Sequence, residues 1–309
     1  MPKSKTKNSR PAKLVVILGP TASGKSDLAV VLARKFHGEV VSADSRQVYR
    51  GMNLGTGKIT KKEMRGVKHH MLDVAGPKQG AFNVSKFKPA AEKAINKIAA
   101  GGKLPILAGG TGFWIDAVAL NHNFPDVPPN KKLRQQLDKK SAAQLFTMLQ
   151  KLLPKRAAQI DRHNKRRLIR AIEIAKAGKN TEPQNAQPKY QALFIGLDMP
   201  DAVLREKIQK RLDARLKAGM LAEVKRLHKN GVSWKKLESF GLEYKFCALH
   251  LQNKITYQQM RELLFYAIWH YAKRQRTWFK RNKQIAWFDP RKKTTAVKAA
   301  ALIKKFLEN

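Results

Sequence analysis

Eight consecutive residues, Gly19-Pro20-Thr21-Ala22-Ser23-Gly24-Lys25-Ser26, fit the pattern G-x-x-x-x-G-K-[ST] at every position. Glycines let a backbone curl so that successive N–H groups face an anion, and a helix beginning at the end of the loop adds its positive dipole. Lys25 brings a full charge, and the Ser26 hydroxyl is a ligand for Mg²⁺. A tight turn with no ligand would satisfy the glycines alone. The flanks argue against it: the apolar, β-branched run Leu14–Leu18 precedes the loop, and DLAVVLARKF follows, with Leu28, Val31, Leu32 and Phe36 at helical spacing. The motif does not say which phosphates are held. A nucleoside triphosphate is the default, and any diphosphate with Mg²⁺ suits the same donors.

Two further clusters fall at the carboxyl ends of expected strands, where open α/β sheets bind ligands. The first is Ser42–Gly51, containing Asp44. Asp44 is either a carboxylate beside the phosphates or a helix N-cap, since Gln47 three residues on completes a capping-box pattern. The second is Gly109-Gly110-Thr111-Gly112, in which the Thr111 hydroxyl either donates to a phosphate oxygen or caps the next helix. Arg162, Arg166 and Arg170 recur every four residues on an expected helix, opposite Leu168, Ile172 and Ala175. Like charges at that spacing repel unless an anion lies across them, and an RNA backbone would serve. The alternative is a solvated face whose aliphatic stems cover apolar surface.

The elements that must position these groups alternate. Strands are expected at Leu14–Leu18, Glu39–Ala43, Leu104–Ala108, Ala192–Leu197 and Ile285–Phe288, separated by helical material. That order predicts an α/β fold, a parallel sheet with flanking helices. From Asn121 to His163 no strand is evident, and KKLRQQLDKKSAAQLFTMLQKLL reads as helix after Pro125, Pro128 and Pro129. Gly178–Lys189 reads as a loop. In the helical C-terminal third, Met260, Leu263, Leu264, Ala267 and Tyr271 form one core stripe, followed by Lys273, Arg274, Arg276, Lys280 and Arg281 around Trp278 and Phe279.

The 309 residues carry 63 Lys+Arg against 22 Asp+Glu, a formal charge of +41. Self-repulsion of that size points to a polyanionic partner, nucleic acid before an anionic membrane. One cysteine, Cys247, excludes an internal disulfide and a cysteine-rich metal site, which fits a reducing cytoplasm. No stretch approaches the roughly 20 apolar residues of a membrane span, and MPKSKTKNSRPAK lacks the apolar segment of a signal peptide.

Taken together the motifs resemble one family, the tRNA dimethylallyltransferases, also called tRNA isopentenyltransferases. The resemblance rests on GPTASGKS at Gly19–Ser26, ADSRQVYRGMNLGTGK at Ala43–Lys58, HHMLD at His69–Asp73 and GGTGFW at Gly109–Trp114. It continues through NKRRLIRAIEI at Asn164–Ile174, RLDARLKAGMLAEV at Arg211–Val224 and YAKRQRTWFKR at Tyr271–Arg281. It implies a P-loop NTPase-like sheet in which Gly19, Thr21, Ala22, Ser23, Gly24, Lys25 and Ser26 hold the diphosphate of dimethylallyl diphosphate, with Mg²⁺ on Ser26. By the same resemblance Asp44 takes the proton from adenine N6, and Thr111 and Arg211 handle the departing diphosphate. Asp44, Ser45, Arg46 and Gln47 meet the flipped adenine, and Arg134, Arg166, Arg167 and Arg170 hold the tRNA anticodon loop. The implied target is adenine 37 of tRNAs reading codons that begin with U.

Four positions depart from the family pattern: Trp114 for a tyrosine, Ile59 for a proline, Arg215 for a methionine and Phe246 for an acidic residue. With no C-terminal zinc finger, the bacterial type is the closer match. The expected organisation is a basic disordered tail over 1–12, a P-loop core over 13–120 and 164–309, and a helical insertion over 121–163 that contacts tRNA, in a monomer. The rival readings are a P-loop kinase of a small metabolite, a prenyltransferase of free adenine nucleotides, and a non-catalytic RNA-binding protein that senses nucleotide.

Overall fold

The structure is a computed structural model and describes residues 11–125, 127–179, 184–185 and 187–309. The expected basic tail lies outside these residues up to position 10, and Ala12 already begins the first strand. The described chain forms two compact units, one of residues up to Leu120 with Pro188–Asn309 and one of Asn121–Gln187.

The first unit opens with β1 (Ala12–Leu18), α1 (Lys25–Lys35), β2 (Gly38–Ser42), α2 (Lys61–Met64), β3 (His69–His70), α3 (Val84–Ala100), β4 (Leu104–Gly109) and α4 (Gly112–Ala119). The second unit holds β5 (His122–Asn123), α5 (Lys131–Asp138), α6 (Ala142–Leu152), α7 (Pro154–Ala157), α8 (Lys165–Lys176) and β6 (Gln184–Asn185). The chain then completes the first unit with β7 (Tyr190–Leu197), α9 (Asp201–Lys217), α10 (Met220–Lys229), α11 (Trp234–Ser239), α12 (Leu242–Leu251), α13 (Tyr257–Phe279), β8 (Ala286–Phe288) and α14 (Thr295–Glu308).

Six strands form one parallel sheet in the order β3-β2-β4-β1-β7-β8. All five strands expected from the sequence are in it. The sixth, His69–His70, is too short for periodicity to reveal and lies beside β2 at the sheet edge. Alternation along β1 sends Leu14, Val16 and Leu18 to one face and Val15 and Ile17 to the other. The first face belongs to a core shared with α3, α4 and helices α9 to α13, and the second to one shared with α1 and α14. Each such fully buried aliphatic side chain stabilises the fold by about 1.5–3 kcal/mol. Burial on both faces makes β1 rigid, which fixes where the loop after it begins.

Two helical expectations change. The single helix expected over Lys131–Leu153 breaks at Lys139–Lys140 because Ser141-Ala142-Ala143-Gln144 forms a capping box that starts α6 afresh. On α13 the buried row is Met260, Leu264, Ile268, Ala272, Arg276 and Phe279, whereas Leu263 is 45% exposed. Arg276, one of the cations around Trp278 and Phe279, is itself buried. It pairs with Asp198 at 2.7 Å and with Asp201, and donates to the Met199 carbonyl, closing the β7–α9 turn.

The second unit also extends beyond the expected 121–163. Leu168, Ile169, Ala171 and Ile172 of α8 bury with Leu137, Leu145, Leu149 and Ala157, so α8 belongs to this small core. The pairing of β5 with β6, within the segment expected to be a loop, closes the unit at its two chain ends.

Candidate active site

The phosphate loop leaves the carboxyl end of β1. Gly19 has no room for a side chain: a Cβ there would meet the Leu197 carbonyl at 2.6 Å and Ser23 Oγ at 2.8 Å. Ala22 adopts φ 62°, a strained conformation that is part of the loop's inward curl. Lys25, the first residue of α1, points back into the loop, and its Nζ donates to the Pro20 carbonyl at 3.1 Å. Burial, and next the Arg211 guanidinium, bring its ammonium down to about 8.

In front of the loop lies a cavity of about 700 Å³. Thr21, Ala22, Gly24, Lys25, Ser26, Asp44, Gln47 and Arg211 all line it, so most of the residues expected at the site converge there. Lys25, Lys58, Lys207, Lys210, Arg211 and Arg215 line it against Asp27, Asp44 and Glu63, an excess of positive charge that suits an anionic ligand. Ala29, Val40, Leu54, Ile59, Ala108, Ala214 and Ala218 supply an apolar portion of the same wall.

The wall between β2 and α2 is held from beneath. Glu223 of α10, almost wholly buried, accepts the backbone N–H groups of Asn53, Leu54 and Gly55 at 2.8–3.0 Å and the Tyr244 hydroxyl at 2.7 Å. Four donors satisfy the buried carboxylate, so the loop is held in one shape. Lys58 reinforces it through the Tyr49 carbonyl at 2.8 Å and Asp73 at 2.5 Å. At the end of this loop the Gly57 carbonyl accepts from Gln47 Nε2 at 3.2 Å and from Arg211 Nη2 at 3.4 Å.

Asp44 is fixed by one oxygen only. Its Oδ1 accepts the Arg46 N–H at 2.8 Å and the Gln47 N–H at 3.4 Å, ordering a turn that does not become a helix. Among the described residues no group pairs with Oδ2. Thr111 stands at the N-cap position of α4 but makes no side-chain cap bond. Its Oγ1 instead accepts the Ser45 N–H at 3.1 Å. Thr111, Ser45 and Arg46 do not themselves line the cavity. They are coupled to it through the turn that Asp44 orders, and Asp44 does line it.

The four arginines expected to hold tRNA divide into two kinds. Glu173, with 1% of its side chain exposed, binds Arg134 through two bonds of 2.9 and 2.7 Å and Arg170 at 2.6 Å. Arg170 also donates to the Val127 carbonyl at 2.9 Å. Arg166 and Arg167 are exposed and make no ion pair among the described residues.

A family model described as IPP transferase matches residues 47–282, which is most of the chain. The chain belongs to this family. It is 42% identical over 288 residues to tRNA dimethylallyltransferase 2 of Trichlorobacter lovleyi, covering 92% of this chain and 94% of the relative. It is 38% identical over 285 residues to the tRNA dimethylallyltransferase of Oceanobacillus iheyensis, with 89% and 90% covered. Among solved structures, the full-length tRNA isopentenylpyrophosphate transferase of Bacillus halodurans is 36% identical with a TM-score of 0.74, over 96% of this chain and 97% of that one. A eukaryotic dimethylallyltransferase at 24% identity, TM-score 0.81, covering 96% of this chain and 80% of that one, shares the fold. The architecture is thus the P-loop NTPase-like one expected.

Of the departures from the family pattern, Trp114 is buried and stacks on Phe87 with centroids 4.1 Å apart, so it fills the core and not the cavity. Ile59 and Arg215 do line the cavity. Residues that sequence reading missed include Gln275, Tyr271, Glu223 and Glu243. Gln275 accepts the Thr21 N–H and donates to the Gly110 carbonyl, each at 2.8 Å. Its signal was a polar residue three turns beyond Leu264 on the buried row of α13.

Proposed function

We propose that this chain transfers a dimethylallyl group from dimethylallyl diphosphate to N6 of adenine 37 in tRNAs reading codons that begin with U, releasing diphosphate. The observation that carries it is a single cavity joining a phosphate loop, an excess of cations, an apolar wall and a carboxylate with one unpartnered oxygen.

An exocyclic adenine amine is a poor nucleophile, so both ends of the reaction need help. N6 attacks C1 of the dimethylallyl group, the C1–O bond breaks, and its electrons leave with the diphosphate. Asp44 takes the N6 proton through Oδ2 while Oδ1 keeps the carboxylate oriented. Lys25, Arg211 and the loop N–H groups meet the charge that develops on the leaving diphosphate, and the apolar wall receives the hydrocarbon. Thr111 orders the Asp44–Ser45 turn. The hydroxyl of Ser26, exposed at the start of α1, together with carboxylate oxygen at the cavity, is a hard-oxygen donor set that fits Mg²⁺. Among the described residues no cluster of three acidic, histidine or cysteine ligands exists, so the ion would be shared with diphosphate oxygens, whose charge it neutralises.

Adenine reaches such a pocket only unstacked, which costs less in the anticodon loop than in a duplex. Arg166 and Arg167 contact the tRNA backbone, and the general excess of +41 draws the RNA in. The protein works as a monomer in a reducing cytoplasm, where Cys247, buried and pushed up to about 12, is inert. The test is incubation with tRNA, dimethylallyl diphosphate and Mg²⁺ followed by mass analysis of nucleosides. A mass gain on adenosine 37 is expected. Prenylation of free AMP in preference to tRNA, or phosphate transfer from labelled ATP, would replace this reading.

A further inference from the structure

Arg211 and Arg215 occupy the same face of α9, one turn apart, and both line the cavity. Their positions relative to Gly57 fix how close they are. A Cβ on Gly57 would lie 1.5 Å from Arg215 Nη2 and 2.3 Å from Arg211 Nη2, so these two atoms are at most 3.8 Å apart, 1.5 Å plus 2.3 Å. Gly57 has φ 56°, and any side chain there would strike both guanidinium groups.

Two cations this close repel unless negative charge lies against both. One carboxylate is present: Glu243 Oε1 accepts from Arg215 Nη1 at 3.3 Å, from behind the cavity wall. Among the described residues Arg211 has no carboxylate within ion-pair distance. Burial, and then Arg215, hold Arg211 down to about 10, and burial pushes the Glu243 carboxyl up. Among the described residues Glu243 is thus the one acid in hydrogen-bond contact with this pair, Glu63 and Asp44 acting on Arg211 only from farther across the cavity, beside Lys25, which burial and then both arginines hold down.

We propose that Arg215, where the family pattern has a methionine, is a second guanidinium contact for the diphosphate, seated across Gly57 beside Arg211 and held in place by Glu243. This rests on the reading of the cavity as a diphosphate site. Arg215 serves the anion directly, whereas Glu243 is a positioning residue that keeps the guanidinium aimed into the cavity.

The competing account is a structural ion pair whose only task is to satisfy buried Glu243. Arg215→Met alone cannot separate the two, because it leaves Glu243 unpaired and lowers stability. The double variant Arg215→Met with Glu243→Gln removes both charges and should regain thermal stability. Equilibrium binding of inorganic pyrophosphate, with and without Mg²⁺, is then the readout. A charge-assisted contact is worth about tenfold or more in affinity, so the double variant should stay folded yet bind pyrophosphate at least about tenfold more weakly than wild type. A stable double variant within about twofold of wild type overturns the inference, as does one that loses affinity for tRNA alone. Because the probe is pyrophosphate, each result holds whether or not tRNA proves to be the acceptor.

Discussion

Gln275 Oε1 accepts the Thr21 backbone N–H at 2.8 Å, across 254 residues of chain. The same carboxamide donates through Nε2 to the Gly110 carbonyl at 2.8 Å, so one buried side chain clamps the phosphate loop to the loop after β4. An amide is the side chain that can accept and donate at once in this geometry.

Gln275→Glu keeps an acceptor for Thr21 but turns an oxygen toward the Gly110 carbonyl. A buried acceptor left without its donor costs about 1–3 kcal/mol, so kcat/KM for dimethylallyl diphosphate should fall about 10- to 100-fold. The melting temperature of the protein, measured alongside, should drop modestly. Unchanged steady-state constants would show that the two loops hold their shape without the clamp.

Lys25 gives a pH dependence whose sign is determined by burial. Its ammonium, held down to about 8, is charged below that pH and neutral above it in the ligand-free protein. Pyrophosphate affinity should therefore fall as pH rises through about 8, and Lys25→Arg should flatten that step because a guanidinium stays charged. For stability the direction is opposite. The folded form carries the cost of a buried cation below about 8, and that cost is relieved between about 8 and the ordinary lysine value of 10.5. Binding and thermal melting from pH 7 to pH 10 would check both signs, and a step in binding that survives in Lys25→Arg would remove Lys25 as its source.

The parts of this site that were legible in the sequence are those whose residues are contiguous. Gly19–Ser26 declares itself by spacing, and the four longer strands β1, β2, β4 and β7 by their runs of mostly buried apolar residues. Glu223 and Gln275 act on loops 170 and 254 residues away and Glu243 on Arg215 of another helix 28 residues away, and nothing local distinguishes a buried polar side chain on an amphipathic helix from a solvated one. Arg170 also has a partner that the sequence offered. Its partner Glu173 is three residues on, an i,i+3 pair that spacing alone could have suggested.

That pair changes which arginines should be tested for RNA. Arg166→Glu with Arg167→Glu removes exposed charge and should leave folding intact while weakening tRNA binding. Each lost phosphate contact should lower the log–log salt slope by about 0.7–0.9. Glu173→Ala, in contrast, strips Arg134 and Arg170 of their shared carboxylate and should loosen the second unit, seen as lost amide-exchange protection in α5 and α8. If the Arg166 and Arg167 variant kept the wild-type slope, those side chains would be solvated surface only.

Asp44→Asn separates the two roles that its two oxygens suggest. Asn keeps the oxygen that accepts from the Arg46 and Gln47 N–H groups, so the turn after β2 should persist and both substrates should still bind. It replaces the other oxygen with an NH₂ group that cannot take the N6 proton. If Asp44 is the general base, the single-turnover rate with prebound tRNA should fall about 10²–10⁴-fold, the usual worth of a positioned base. If its contribution is to order the turn, Asn does the same work and the rate should stay near that of wild type. A role on Mg²⁺ would instead appear as weakened dimethylallyl diphosphate binding, partly restored by more Mg²⁺. Single-turnover kinetics paired with equilibrium binding of each substrate distinguish the three, and a near-normal rate at saturating substrates would end the assignment of Asp44 as base.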